Sequence, residues 1–296
     1  MQSVRWENGR AVIPKIEFYI THTCNLTCNN CNRFNNHHFT GWQNFNDYKS
    51  ELEQWAELID IEKIVIMGGE PLLNPSLLDW VDGLNNLWNK HVQILSNGTH
   101  LSKTHKLYER LKSNNWLGIS WHNRLHKDWL FEQIHAFLQP PITSSVDMSL
   151  ELKTGDQIEF IDSNGVKIIV WVQDYFGPAA VKTQNGKLTL HNNDPEEVHP
   201  TCGFVQNNCY HMIEAKLYKC GPVALFPEFD KQHPLDISDE DRQLINSYRP
   251  LSVDKFAERG KEFLNHINDV IPQCKFCPVG WKSEPELIYP HVKGKQ

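Results

Sequence analysis

The chain has 296 residues, with 29 Lys and Arg against 36 Asp and Glu for a formal net charge of −7, and it is 40% hydrophobic and 22% charged. That apolar content supports a full core and excludes a fibrous or disordered chain. The acidic balance and the lack of a basic stripe exclude broad electrostatic binding to nucleic acid, which needs clustered cations against phosphates.

The opening segment, MQSVRWENGRAVIPKIEFYI, lacks the apolar stretch and small-residue cleavage site of a secretion signal. The longest apolar runs are strand-sized, so a cytoplasmic protein with no membrane span is expected. Runs rich in β-branched and aromatic residues then recur at 15–20, 63–67, 91–96, 116–121, 145–152 and 166–172. Near-continuous apolar strands of this kind belong to parallel sheets covered by helices. Between them, 76–88 and 103–112 carry leucines and aromatics at helical spacing. Six strand-then-helix units predict an α/β fold, a sheet or partial (β/α)6 barrel over residues 1–175. After that the pattern changes to turns, three cysteines, helical stretches near 239–248 and 252–270, and a last cysteine pair. Residues 176–296 read as a small appended domain that relies on a bound metal or cluster.

Eight cysteines in a reducing compartment point to ligation rather than to disulfides. Cys24, Cys28 and Cys31 form CxxxCxxC in the loop after the first strand. Three thiolates do not close a tetrahedral zinc site, but they hold three irons of a 4Fe-4S cube and leave the fourth open to a small ligand. The alternative is a zinc knuckle in which Cys28 and Cys31 join Cys274 and Cys277. Gly68-Gly69-Glu70-Pro71 follows the second strand, where paired glycines let a backbone pass close to a ligand or make a tight turn. Ser96-Asn97-Gly98-Thr99 follows the third strand and Ser120-Trp121-His122 ends the fourth, with Gln173 and Asp174 after the last. By themselves these read as a turn and a surface histidine. Their shared position at the carboxyl ends of strands is where α/β barrels gather ligand sites. Cys202, Cys209 and Cys220 precede the pair Cys274 and Cys277, and Lys216-Leu217-Tyr218 reads as one strand of a hairpin leading into Cys220.

Together, CxxxCxxC after strand one and GGEP after strand two resemble the signature of the radical S-adenosylmethionine superfamily. One position departs from it: the residue before the third cysteine is usually aromatic there and is Asn30 here. The resemblance implies a catalytic 4Fe-4S cluster on Cys24, Cys28 and Cys31 whose open iron chelates S-adenosylmethionine. It implies cofactor contacts from Gly68, Gly69, Glu70 and Pro71 to the methionine amino group, and from Ser96, Asn97 and Ser120, with His122 and Asp174 as candidate catalytic residues. The C-terminal cysteines resemble the twitch half of a SPASM/twitch extension. Four of Cys202, Cys209, Cys220, Cys274 and Cys277 would then hold one auxiliary 4Fe-4S cluster, with either Cys202 or Cys209 spare.

The implied reaction is hydrogen abstraction from a small sugar- or aminocyclitol-like molecule and its two-electron oxidation. Modification of a ribosomally made peptide is the alternative, and a non-catalytic zinc scaffold a second one. A flavodoxin- or ferredoxin-type electron donor is expected, with no nucleic acid or membrane partner.

Overall fold

A computed structural model describes residues 4–112, 115–122, 127–146, 155–173, 175–280 and 286–287. In chain order, β1 (Arg5–Glu7) and β2 (Arg10–Tyr19) are followed by α1 (Phe45–Leu58), β3 (Ile59–Met67), α2 (Leu77–Trp88), β4 (Val92–Ser96), α3 (His105–Leu111), β5 (Trp116–Trp121) and α4 (Lys127–Phe137). Next come β6 (Thr143–Ser144), β7 (Gln157–Ile161), β8 (Lys167–Val172), β9 (Tyr175–Phe176), β10 (Val181–Gln184) and β11 (Lys187–Leu190). The remaining elements are α5 (Pro195–Val198), α6 (Gly203–Gln206), β12 (Tyr210–Ile213), β13 (Lys216–Tyr218), α7 (Gly221–Gln232), α8 (Asp239–Ser247), α9 (Phe256–Asn265) and β14 (Glu286–Leu287). Among the described residues no helix is long and apolar enough to cross a membrane.

The main sheet runs β13-β12-β2-β3-β4-β5-β8-β7-β6, with β1 also on β2. Strands β12, β2, β3, β4, β5 and β8 pair in parallel. Four strand–helix units, β2 to α4, follow one another as the pattern predicts. The fifth unit does not form, because β7 pairs antiparallel with both β6 and β8. The reason is local. Asp162 Oδ1 accepts the Asn164 and Val166 N–H groups, both at 2.9 Å, and Gly165 takes φ +77°. Such a tight Asx turn returns the chain directly, whereas a parallel return needs a crossover of a dozen residues or more. Most of the strand expected over 145–152 lies outside the described residues. The sixth parallel strand is instead β12, from beyond residue 176, so both expected segments contribute to one sheet.

Pro14 interrupts β2, where a central strand would lose a ladder bond. It falls in the gap between two neighbours, since β1 pairs as far as Val12 and β12 begins at Ile16.

The two faces of the sheet differ because side chains alternate along each strand. Ile16, Phe18, Ile64, Ile66, Ile94 and Leu117 join one apolar core with Trp55, Trp80, Leu84, Leu107 and Ile134 from the helices. On the opposite face Lys15, Glu17, Met67, Leu95 and Ser120 line a cavity of about 450 Å³. A second core joins Phe226 and Phe229 of α7, Ile245 of α8 and Phe276 to Tyr19, Phe34 and Phe39. Phe34 stacks on Phe226 with centroids 5.7 Å apart and meets Phe229 at 5.0 Å. The C-terminal helices therefore bury their apolar side against the cysteine-bearing loop, which fixes that loop over the cavity.

Candidate active site

The loop carrying Cys24, Cys28 and Cys31 is held by the turn after β3. Gly69 N–H donates to Thr21 O at 2.7 Å and Glu70 N–H to Thr23 O at 2.9 Å. A Cβ on Gly68 would lie 2.4 Å from Thr21 O, and one on Gly69 2.4 Å from Thr23 O. Both glycines line the cavity, yet what a side chain would strike first is the backbone of the cysteine loop. The sequence reading assigned that close approach to a ligand. The structure assigns it in the first place to the protein itself.

Glu70 and Pro71 stand behind this wall. The Glu70 side chain is fully buried, and it accepts Leu72 N–H at 2.9 Å, Ser96 Oγ–H at 2.8 Å and Asn97 N–H at 2.7 Å. Burial raises its carboxyl to about 7, against the pull of these three donors. Pro71 opens the short 3-10 turn Pro71–Leu73. The carboxylate thus locks the turns after β3 and β4 together. Glu70→Gln places an amide NH2 against the Asn97 N–H, and urea unfolding should show a loss of roughly 1–3 kcal/mol.

Asn97 continues the bracing toward the thiols: its Nδ2 donates to Asn25 Oδ1 at 3.1 Å and to Cys24 Sγ at 3.7 Å. Leu26 N–H also donates to Cys24 Sγ, at 3.4 Å. Both contacts fix the position of this sulfur in the loop. Asn30 adopts φ +56°, a left-handed conformation that Asn accepts far more readily than an aromatic residue, which accounts for its place before Cys31. Burial raises the Cys28 thiol, with Cys31 and Cys24 adding to the rise. Ionising thiols so placed calls for a cation among them.

The strand-end residues converge as expected. Ser96, Asn97, Ser120, His122 and Gln173 all line the cavity. His122 Nδ1 lies 3.0 Å from Gln173 O, and burial lowers its pKa. Asp174 lies outside the described residues.

A group that sequence reasoning missed occupies the floor of the cavity. Glu17 Oε2 lies 2.7 Å from Arg33 Nη2 and 2.9 Å from His211 Nε2, and its Oε1 lies 3.1 Å from Lys15 Nζ. Burial opposes the Glu17 charge, but His211, Arg33 and Lys15 hold its pKa well below the ordinary range. Burial and the Arg33 charge lower His211 to about 4, so its ring is neutral. Cys209 stands beside Lys15 and Glu17, and burial raises its thiol. The available signal was the alternation Lys15-Ile16-Glu17-Phe18, with two charged residues facing one way in an otherwise apolar strand.

Of the other cysteines, Cys202 and Cys277 border both the main cavity and a second, smaller pocket. Cys202, Cys220, Cys274 and Cys277 all line the smaller one with Lys219. Burial raises Cys277, with Cys220, Cys202 and Cys274 as its next influences. Cys209 is on the floor with Glu17 instead and does not line that pocket. Nor do Cys28 and Cys31 join Cys274 and Cys277, as the zinc-knuckle alternative required: Cys28 responds to Cys31 and Cys24, and Cys274 to Lys219 and Cys202.

Residues 18–123 match the family model of the radical SAM superfamily. The matched segment runs from the last residues of β2 to just past the end of β5 and contains the three-cysteine loop, the Gly68–Gly69 turn and the ends of β4 and β5. The crystal structure of Streptococcus suis SuiB bound to S-adenosylmethionine is similar at 14% identity and a TM-score of 0.28, over 43% of this chain and 38% of that one. The chain therefore spans well under half the length of that protein. No curated protein matches the chain.

The residues present fit the iron–sulfur cluster that the family implies. Zinc–sulfur bonds of 2.3 Å place the sulfurs of a single-ion site about 3.8 Å apart. Among the described residues, the only three candidate ligands whose atoms all lie within 4.8 Å of one another are Glu17, Cys209 and His211. Neither cysteine set is gathered as tightly as one ion requires, whereas a multi-iron cluster holds its sulfurs farther apart. The Glu17 trio makes a poor metal site, because both carboxylate oxygens are already engaged by Lys15, Arg33 and His211.

Proposed function

We propose that this chain binds S-adenosylmethionine beside a 4Fe-4S cluster held by Cys24, Cys28 and Cys31, and oxidises a small polar substrate in the cavity below. The observation that carries this reading is convergence. The three thiols, the Gly68–Gly69 wall and the ends of β4 and β5, all within the segment that matches the radical SAM family model, face one cavity. Bound there, the cluster supplies the electron that cleaves S-adenosylmethionine to methionine and the 5′-deoxyadenosyl radical, which takes a hydrogen atom from the substrate.

The chain's own residues position and enclose. Gly68 and Gly69 leave room at the wall, and Asn97 orients the Cys24 sulfur. Ser120 and His122 present polar groups where the substrate and the nucleoside meet. Pro178, Ala180, Val198 and Thr201–Phe204 border the cavity on the side away from the strands, where they would limit the access of water to a radical. The unlike faces of the sheet, one apolar toward helices and one polar toward the cavity, support a partial barrel.

Cys202, Cys220, Cys274 and Cys277 are proposed to hold an auxiliary 4Fe-4S cluster that accepts the second electron of the oxidation. The cavity of about 450 Å³ must take S-adenosylmethionine as well as the substrate, which favours a small substrate such as a sugar or aminocyclitol over a peptide. A flavodoxin- or ferredoxin-type protein is the proposed electron donor, in the cytoplasm. Anaerobic protein given S-adenosylmethionine and dithionite should release 5′-deoxyadenosine and methionine. Protein with a full iron complement that leaves S-adenosylmethionine intact would sink this reading.

A further inference from the structure

The charges lining the cavity carry information about what enters it. Among the described lining residues the formally charged side chains are Lys15, Arg33 and Glu17. Two cations thus face one carboxylate. Its oxygens are already taken, Oε1 by Lys15 and Oε2 by Arg33 and the neutral His211. A further cation, Lys63, is the register partner of Lys15 on β3, and Lys15 is among the influences lowering its pKa. Arg33 is only 4% exposed, with its Nη2 engaged by Glu17 and Met67 and its Nε and Nη1 sealed from solvent, so the donor within reach of the cavity is Lys15, whose side chain is 24% exposed. An ammonium held in a cavity wall, with a second and a third cation near it and one carboxylate to share, is costly unless an anion completes it.

We infer that the floor of the cavity is a subsite for an anionic group of the substrate, a carboxylate or a phosphate. This rests on the reading of the cavity as a substrate site and narrows its class. A polycationic aminocyclitol meets like charge there, whereas an acidic sugar or a sugar phosphate meets Lys15. Lys15 stands apart from the cysteine loop. Lys15 precedes Tyr19 by four residues on β2, about 13 Å along the strand from the end that carries the cysteine loop. Of the pair, Lys15 is the one to vary, since Arg33 is packed between Phe204 and Met67 and braces the loop.

The test is isothermal titration of the cluster-loaded, S-adenosylmethionine-bound protein with inorganic phosphate and with acetate, each against chloride at equal ionic strength. At least one of the two anions should bind saturably. Lys15→Gln should weaken it about tenfold or more, the scale of one hydrogen bond to a charged group, while Lys15→Arg should retain most of the affinity. Preference for phosphate or for acetate identifies the group the substrate bears. If neither anion binds above chloride, or if Lys15→Gln protein with full iron content binds as wild type does, the inference is overturned. The titration involves no turnover. Protein that binds the anion but does not cleave S-adenosylmethionine refutes the proposed reaction and leaves the subsite standing, and the reverse result refutes the subsite alone.

Discussion

Gly69→Val should yield a protein that is both less stable and unable to retain its N-terminal cluster. The Cβ alone would sit 2.4 Å from Thr23 O and 2.9 Å from His22 O, and these are backbone atoms that cannot swing aside. The strain is relieved only by moving the segment that leads into Cys24. Overpacking against a fixed wall costs roughly 1–3 kcal/mol, and here the Gly69 N–H to Thr21 O bond is at risk as well. Thermal unfolding should fall clearly, and iron bound through Cys24, Cys28 and Cys31 should drop together with 5′-deoxyadenosine output. A Gly69→Val protein that keeps wild-type iron and loses only affinity for S-adenosylmethionine would show that the wall constrains the ligand and not the loop.

The second large effect separates the cysteine sets. Changing Cys24, Cys28 and Cys31 together to Ala should abolish 5′-deoxyadenosine formation and leave the C-terminal iron in place. Cys274 and Cys277 changed to Ala should do the opposite, removing the C-terminal iron while S-adenosylmethionine cleavage continues. Circular dichroism must accompany that pair, because ligand binding and folding are linked in small metal-bearing segments. Cys209→Ala should retain the iron of both sets, since Cys209 lies with Lys15 and Glu17. Loss of the C-terminal iron in Cys209→Ala, with Cys202→Ala unaffected, would reverse the assignment.

The cysteine loop was legible because its signal is local. CxxxCxxC, the paired glycines and the polar residues at strand ends each follow a recognisable apolar run, and parallel strands bring such ends together. What escaped was whatever depends on distant pairing. Glu17, Arg33 and His211 meet because β12 adds in parallel to β2, placing His211 opposite Glu17, and nothing in the segment around residue 210 states which edge it will join. The choice between Cys202 and Cys209 was closed to sequence for the same reason. The two flank α6, and only the docking of β12 carries Cys209 to the floor of the cavity. The hairpin of β7 and β8 was announced by Asp162-Ser163-Asn164-Gly165, a turn signal overlooked because the strand after it suited a parallel sheet equally well.

The measurement that bears most directly on the account is the metal and sulfide content of protein isolated without oxygen. It should be brown and carry about eight irons and eight acid-labile sulfides per chain, four of each for either cysteine set. Stoichiometric zinc with no inorganic sulfide would contradict the account, because it would make both cysteine sets single-ion sites with no means of cleaving S-adenosylmethionine.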